Sequence, residues 1–396
     1  MTDWKLSHRI AALVPSSTTA AGKKAKALAA SGVDVVDLSI GEPDFPTPEF
    51  VGRAGARAIA AGRTKYTDVA GEAALRDAIA AKYAREQGAA VSRENVIVTA
   101  GAKQAVFNVC QALFDEGDSV ALFSPYWVSF PEMVRLTGAV PAFVPTEIAK
   151  GWPPTAAALE RHAPRDARGV ILNSPNNPTG AVTSETELAR IVDWCAARGA
   201  WLVYDETYDR FLYDGRRHAS AAALLAGYDR IAVTGAASKT WAMTGWRLGW
   251  VLGPAPLVAA IGSYQSHTTS NASSISQAAA LEALTDIEST SAAVAGMLAR
   301  YTERRRLIVE GLSGIEGIRC PSPEGAFYAF ADVSGLYSRK TVAGSAAFCD
   351  RLLAEAHVGA VPGDAFGDDA CVRFSFATDD ARIREGVRRI AAWAPL

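Results

Sequence analysis

The sequence predicts an α/β protein: a mostly parallel central sheet in α/β/α layers, joined to a smaller α+β unit. Three observations predict it. Six short runs between residues 96 and 252 are apolar at every position, as strands covered on both faces must be. Segments of helical character alternate with those runs, the pattern of layered α/β folds. After about residue 295 the texture changes to a charged helix followed by aromatic runs punctuated by Gly and Pro.

The chain has 396 residues, enough for two or three domains at ~100–200 residues each. Hydrophobic residues are 49% and charged residues 21%, which excludes a disordered chain, a collagen or a coiled-coil rod. A net charge of −2 gives no electrostatic reason to expect a nucleic-acid or membrane partner.

Met1–Lys5 carries an early acid and no apolar core, so no signal peptide is expected and a cytoplasmic location is. Residues 20–31 are Ala-rich and helical by propensity, with Gly32 as the stop. Gly41–Pro48 holds three prolines and reads as a rigid extended connector. The strand runs are Val96–Val98, Val120–Phe123, Val170–Leu172, Trp201–Tyr204, Ile231–Val233 and Leu248–Leu252. Leu248–Leu281 lacks Asp, Glu, Lys and Arg, but Gly253, Pro254, Pro256 and many polar residues forbid a lipid-spanning helix. It reads as a strand, a buried turn and a wall. Five widely spaced cysteines without a C-x-x-C read as reduced thiols, with neither a disulfide frame nor a metal site. Met297–Gly311 predicts a helix on which Arg304, Arg305 and Arg306 form a solvated face. Phe327–Phe330 and Val372–Phe376 follow. A last helix opens at Asp379 and Asp380 with Ile383, Val387 and Ile390 on one face. The expected division is a large domain over 45–294 and a small one from 1–44 and 295–396.

Ligands of such sheets bind beyond the carboxyl ends of the strands. After Val98 comes Thr99-Ala100-Gly101-Ala102-Lys103, small residues opening a helix, where free N–H groups attract an anion. After Leu172 comes a stiff loop, Asn173 to Gly180, and after Tyr204 come Asp205 and Tyr208. After Val233 comes Ser238-Lys239, a lysine among small and apolar neighbours whose burial would favour the neutral, nucleophilic amine. Taken singly, each has a plainer reading: a packing turn, an Asx turn, a helix cap, a lysine that reaches out to water. Together they fit one ligand. A phosphate wants Gly101, Ala102, Lys103, Ser238 and Arg247. A pyridinium nitrogen wants Asp205, an aldehyde wants Lys239, and a phenolate oxygen wants Tyr208 and Asn177. These are the polar ends of pyridoxal 5′-phosphate.

With these residues in place the sequence resembles the class I aminotransferases of pyridoxal-phosphate fold type I, in the aspartate/prephenate branch. Seven motifs carry the resemblance: G-E-P-D-F-P-T-P (41–48), Y-T-D-V-A-G (66–71), S-P-Y-W-V-S-F (124–130), N-S-P-N-N-P-T-G (173–180), Y-D-E-T-Y (204–208), S-K-T-W-A-M-T-G-W-R-L-G (238–249) and V-R-F-S-F-A (372–377). The resemblance implies that Lys239 forms an imine with the cofactor and shuttles the proton between substrate Cα and cofactor C4′. It implies that Asp205 keeps the ring nitrogen protonated, that Tyr208 and Asn177 bond the ring oxygen and that Trp127 stacks on the ring. Ser238, Arg247 and the N–H groups around Ala102 would hold the phosphate, with Tyr66 reaching in from a neighbouring subunit, so a homodimer is implied. Arg373 would fork the substrate α-carboxylate, with the backbone of Gly41 beside it. Ala236 stands where family members often have Ser or Gly, so one phosphate hydrogen bond is expected to be missing.

No Arg lies between Leu248 and Leu281, so the partner-chain arginine used by one dicarboxylate branch is absent. Lys103 looks like the substitute, with a role confined to the cofactor, or an outward-facing side chain, as its alternatives. Thr18 matches a position tied to the same pocket. The expected reaction is a ping-pong transfer between an amino acid and a 2-oxo acid, aspartate with 2-oxoglutarate first and prephenate as runner-up. A lyase or decarboxylase sharing the cofactor contacts is the main rival. No G-x-G-x-x-G follows a strand, which disfavours a dehydrogenase, and a non-catalytic binding protein would be indifferent to loss of the Lys239 amine.

Overall fold

The computed structural model of the chain describes residues 5–15 and 17–395. Met1–Trp4, on which the reading of the chain start rests, lie outside the described residues, as do Ser16 and Leu396. The strands are β1 (Val36–Asp37), β2 (Val96–Thr99), β3 (Ser119–Ser124), β4 (Val140–Pro145), β5 (Gly169–Asn173), β6 (Trp201–Asp205), β7 (Ile231–Ala236), β8 (Gly249–Leu252), β9 (Tyr328–Asp332), β10 (Val358–Gly359), β11 (Val361–Pro362) and β12 (Cys371–Ser375).

Seven of them form one sheet in the order β2-β8-β7-β6-β5-β3-β4. β8 runs antiparallel to both neighbours, and the pairs from β7 through β4 are parallel. Strand alternation sends successive side chains into two different cores. Val170, Leu172, Leu202, Tyr204 and Val233 pack on one face with helices Glu49–Ala60, Ala73–Gln87 and Glu185–Ala196. Ile171, Val203 and Ala232 pack on the other with helices Ala102–Leu113 and Ala255–Ser266. All six expected strands are present because their residues have an apolar layer to meet on both sides. The edge strand β4 was not among them. It contains Pro141 and Pro145 and pairs on one side only, the position in a sheet that tolerates proline.

A second region holds the antiparallel sheet β11-β12-β9 and the parallel pair β1-β10. Its core gathers Tyr328, Phe374, Phe376, Ile383 and Ile390, and it takes in Tyr208, Phe211 and Tyr213 from the segment after β6. The last helix is Asp380–Trp393, capped by the Asp379 carboxylate accepting from the Arg382 N–H.

Two elements differ from expectation. Leu248–Leu281 contains β8 and then two helices, Ala255–Ser266 and the first part of Ser274–Thr285. Pro254 and Pro256 open the first and the Ser273 hydroxyl caps the second, so two short helices stand where a buried turn and a wall are expected, the prolines sitting where a helix start tolerates them. The charged helix runs from Ile287 to Ser313, not from Met297. Its basic triplet is not a solvated face. Arg304 is 4% exposed and forks onto Asp44 at 2.7 and 2.8 Å while also bonding Asp380. Arg305 forks onto Asp214, and only Arg306 points to solvent. The buried stripe Met297, Tyr301, Arg304, Ile308 passes through the triplet, and burial drew the arginine to carboxylates.

All five cysteines are unpaired and buried. No helix among the described residues is long and apolar enough to cross a membrane.

Candidate active site

A cavity of about 560 Å³ opens beyond the carboxyl ends of the parallel strands. Lys239, Asp205, Tyr208, Asn177, Ser238, Arg247, Ala102, Lys103, Trp127, Arg373, Gly41 and Thr18 all line it. The topology makes this convergence. β5, β6 and β7 are adjacent and parallel, so the segments leaving them deliver Asn177, Asp205 with Tyr208, and Ser238 with Lys239 to one edge.

Lys239 sits in a single helical turn, Ala237–Thr240, directly after β7. Its Nζ donates to the Gly41 carbonyl at 2.6 Å. Burial is the main cause that pulls its pKa down to about 8; Glu42 opposes the shift, and the positive charges of Arg373, Arg247 and Lys103 add to it. Asp205 ends β6. Its Oδ1 accepts the Thr207 N–H at 3.1 Å, the Thr207 hydroxyl at 2.7 Å and the Thr234 hydroxyl at 3.3 Å. Burial nonetheless raises its pKa to about 6 against those bonds. An amine that resists protonation and a carboxylate that resists ionisation thus share one cavity.

Gly101 adjoins the cavity as the N-cap of helix Ala102–Leu113, with φ +89°. A Cβ there would lie 2.7 Å from an Arg247 guanidinium nitrogen, so the glycine makes room for that side chain. Arg247, itself left-handed at φ +55°, donates to the Thr244 carbonyl at 2.8 Å. Ala102 at the helix start, Ser238 and Arg247 all line the cavity and bring donors of the kind an anion needs. Ala236, 4% exposed, stands at the head of the Lys239 turn. Lys103 holds its ammonium 5.1 Å from the Trp127 ring centre. Burial, then Arg247, depresses its pKa.

Arg373, on β12, is 2% exposed. It donates to Asn177 Oδ1 at 3.0 Å and to the Ser39 carbonyl at 2.8 Å, and its Nε is buried with no partner. Among the described residues no carboxylate forms an ion pair with it, and a buried guanidinium with an unmet donor is suited to take one. Asn177 is itself fixed by its N–H on Asn173 Oδ1 at 2.8 Å. Since its Oδ1 serves Arg373, its amide N–H₂ is left for a ligand oxygen.

Tyr66 stands apart: it is 89% exposed and does not line the cavity. The sequence reading assigned no role to Tyr328, Ser39, Glu42, Lys23 or Lys26, all of which line it. Glu42 was inside a quoted motif. Lys23 and Lys26 share a face of helix Ser17–Ala30 with Thr18, a periodicity the sequence shows. Nothing local marks Tyr328, which is one aromatic in a strand of aromatics.

The donor set suits a ligand with an anionic end and an amine-reactive carbonyl, and known proteins point the same way. Residues 33–390 match the model of the family "Aminotransferase class I and II". A probable aspartate/prephenate aminotransferase of Thermus aquaticus is 42% identical over 386 residues, 98% of each chain. An aspartate aminotransferase of Streptomyces avermitilis is 38% identical over 98% of this chain and 96% of its own. The solved structure of the Thermus thermophilus aspartate aminotransferase with maleate superposes with TM-score 0.93 at 40% identity, covering 98% of this chain and 99% of that one. Family, sheet and cavity therefore coincide over nearly the whole length, and the chain belongs to the class I and II aminotransferases.

Proposed function

We propose that this aminotransferase is pyridoxal 5′-phosphate-dependent and exchanges an amino group between an acidic amino acid and a 2-oxo acid, aspartate with 2-oxoglutarate first and prephenate second. The observation that carries the reading is the pairing in one cavity of the Lys239 amine, with its pKa near 8, and the Asp205 carboxyl, with its pKa near 6. Each is a misfit alone and each is relieved by the cofactor: the amine by its aldehyde, the carboxylate by its ring cation. The cofactor, when bound, supplies an electron sink for the bond broken at substrate Cα.

The chain's own residues do the rest. Arg373 clamps the α-carboxylate and so fixes which Cα bond stands across the ring. The neutral Lys239 amine takes and returns the proton at Cα. With the cofactor bound, Asp205 would hold positive charge at its ring nitrogen, Tyr208 and the Asn177 amide would donate to its ring oxygen, and Trp127 would lie against its ring. Gly101, Ala102, Ser238 and Arg247 hold the phosphate. Lys103, with Thr18 nearby, meets a second carboxylate, which favours dicarboxylic substrates. Aspartate and prephenate are the acids in the relatives' names.

An active homodimer follows from the same reading. Leu13, Val14, Phe107, Met133, Leu136 and Tyr264 line an apolar groove of about 520 Å³ that also touches Lys103 and Arg247. On this reading a second copy covers the groove, and its Tyr66 is the residue that the family resemblance has reach the phosphate. A large domain over 45–294, a small one from 1–44 with 295–396, and a cytoplasmic location complete the proposal.

The test is a half-reaction. Protein loaded with pyridoxal phosphate and given aspartate alone should release oxaloacetate and keep the aminated cofactor; a lyase would keep the cofactor in its aldehyde form. Lys239→Ala should fold normally and lose turnover. Near-normal turnover in that variant would refute the assignment.

A further inference from the structure

Tyr328 takes no part in the roles above, yet it stands where they meet. It lies on β9 and is 1% exposed. Its Oη is 2.8 Å from the Oη of Tyr208. The Arg373 guanidinium lies 4.4 Å from its ring centre, the consequence of a register that sets Tyr328 opposite Ser375, two residues along β12 from Arg373. On a third side is Gly41, where a Cβ would come within 2.9 Å of the Tyr328 hydroxyl. The Gly41 carbonyl is the acceptor that holds Lys239. One phenol therefore touches the donor to the ring oxygen, the carboxylate clamp and the backbone behind the amine.

A phenol hydroxyl has one proton to give. If Tyr208 donates to the cofactor's ring oxygen, as the proposed function has it, Tyr208 can only accept from Tyr328. The direction of the pair is then fixed: Tyr328 donates to Tyr208, and Tyr208 donates to the ring oxygen. Hydrogen bonds running in one sense polarise and strengthen each other. Burial keeps both phenols protonated, and Arg373 is the main opposing influence on Tyr328. A cation against the ring makes its O–H a better donor. Neutralising that cation with a substrate carboxylate makes it a poorer one.

We propose that Tyr328 is a positioning residue that acts through Tyr208 to set how firmly the cofactor's ring oxygen is held, and that relays carboxylate binding at Arg373 to that oxygen. The inference rests on the pyridoxal-phosphate reading and deepens it. It is separate from the Arg373–Asn177 bond, which runs through the loop after β5. Asp205, at the end of β6, is the other charged group that acts on Tyr208, and Lys239 and Glu42 line the same cavity. Of the charged groups named here, only Arg373 lies over the Tyr328 ring.

The experiment titrates the visible absorption of the cofactor-loaded protein, with and without saturating maleate, a dicarboxylate with no amine to react. Tyr328→Phe keeps the ring and removes the donor. Its pH midpoint should rise by about 0.5 to 1 unit, and the further rise caused by maleate should be smaller than in the parent protein. In a Tyr208→Phe background the same change should have no added effect, because its route is gone. Should Tyr328→Phe bind cofactor poorly, a fluorinated phenol at position 328 keeps the shape with a more acidic hydroxyl and should move the midpoint down. A midpoint and maleate response equal to the parent's, or an equal shift in both backgrounds, would reduce Tyr328 to packing. Parent protein that develops no visible band with pyridoxal phosphate would overturn the cofactor reading itself, an outcome distinct from either.

Discussion

Burial acts in opposite senses on the reactive side chains, and the sequence showed the two residues but not the size of either effect. Lys239 stood among small neighbours in the chain, and the fold adds Arg373, Arg247 and Lys103 as unfavourable company. Lys103 is the residue whose role the structure sharpens most. Its ammonium sits against Trp127 at the cavity wall while the residue stays open to solvent at the start of its helix. Lys103→Ala should lower kcat/KM for aspartate by about ten- to a hundredfold, the worth of a hydrogen bond between charged groups. Alanine and phenylalanine should be nearly unaffected. A steady-state panel of amino donors reads this directly, and an equal fall for all of them would assign Lys103 to the phosphate.

Among the elements, the connector Gly41–Pro48 and the helix Ile287–Ser313 explain one another. The prolines keep the connector extended, and Arg304 pins its Asp44 to the helix and, through Asp380, to the last helix. Gly41 and Glu42 of the same connector line the cavity. Arg304→Met takes the fork away from Asp44 and leaves Asp380 with Arg300 alone. Because Asp44 and Asp380 are 29% and 26% exposed at the side chain, water recovers part of the loss, and about 2 kcal/mol of destabilisation is expected. Urea titration of the loaded protein checks it. Arg304→Lys, which keeps charge without the fork, should recover only part.

For the molecule as a whole, the proposed cofactor should be a stabilising ligand with a pH signature. Asp205 has a folded pKa near 6 against 3.8 for the free group. Its contribution is present in full below about pH 4 and is lost as pH rises through 6. Lys239 has a folded pKa near 8 against 10.5. Its contribution is present above about 10.5 and is lost as pH falls through 8. Between pH 6 and 8 the cofactor-free protein carries both penalties, each of about 3 kcal/mol at most. Removing pyridoxal phosphate should therefore lower Tm most in that window. Thermal scans of apo and loaded protein from pH 5 to 9 measure the gap, and a gap independent of pH would contradict the assignment.

The sequence by itself determined the strands, the turns after them and the chemical kinds of residue those turns carry, because each is written in contiguous residues. Six doubly apolar runs specify a covered sheet, and Asn177, Asp205, Ser238 and Lys239 follow three of them at once. The tertiary structure alone decided what distant segments do to one another. Tyr328 meets Tyr208 across 120 positions, and Arg304 meets Asp44 across 260. It also reversed β8, paired β4 at an edge and carried Arg304 of the basic triplet inward. The physical reason is that a side chain's solvent, charge partners and hydrogen-bond direction are properties of the packed neighbourhood, and periodicity along the chain records only which face it is on.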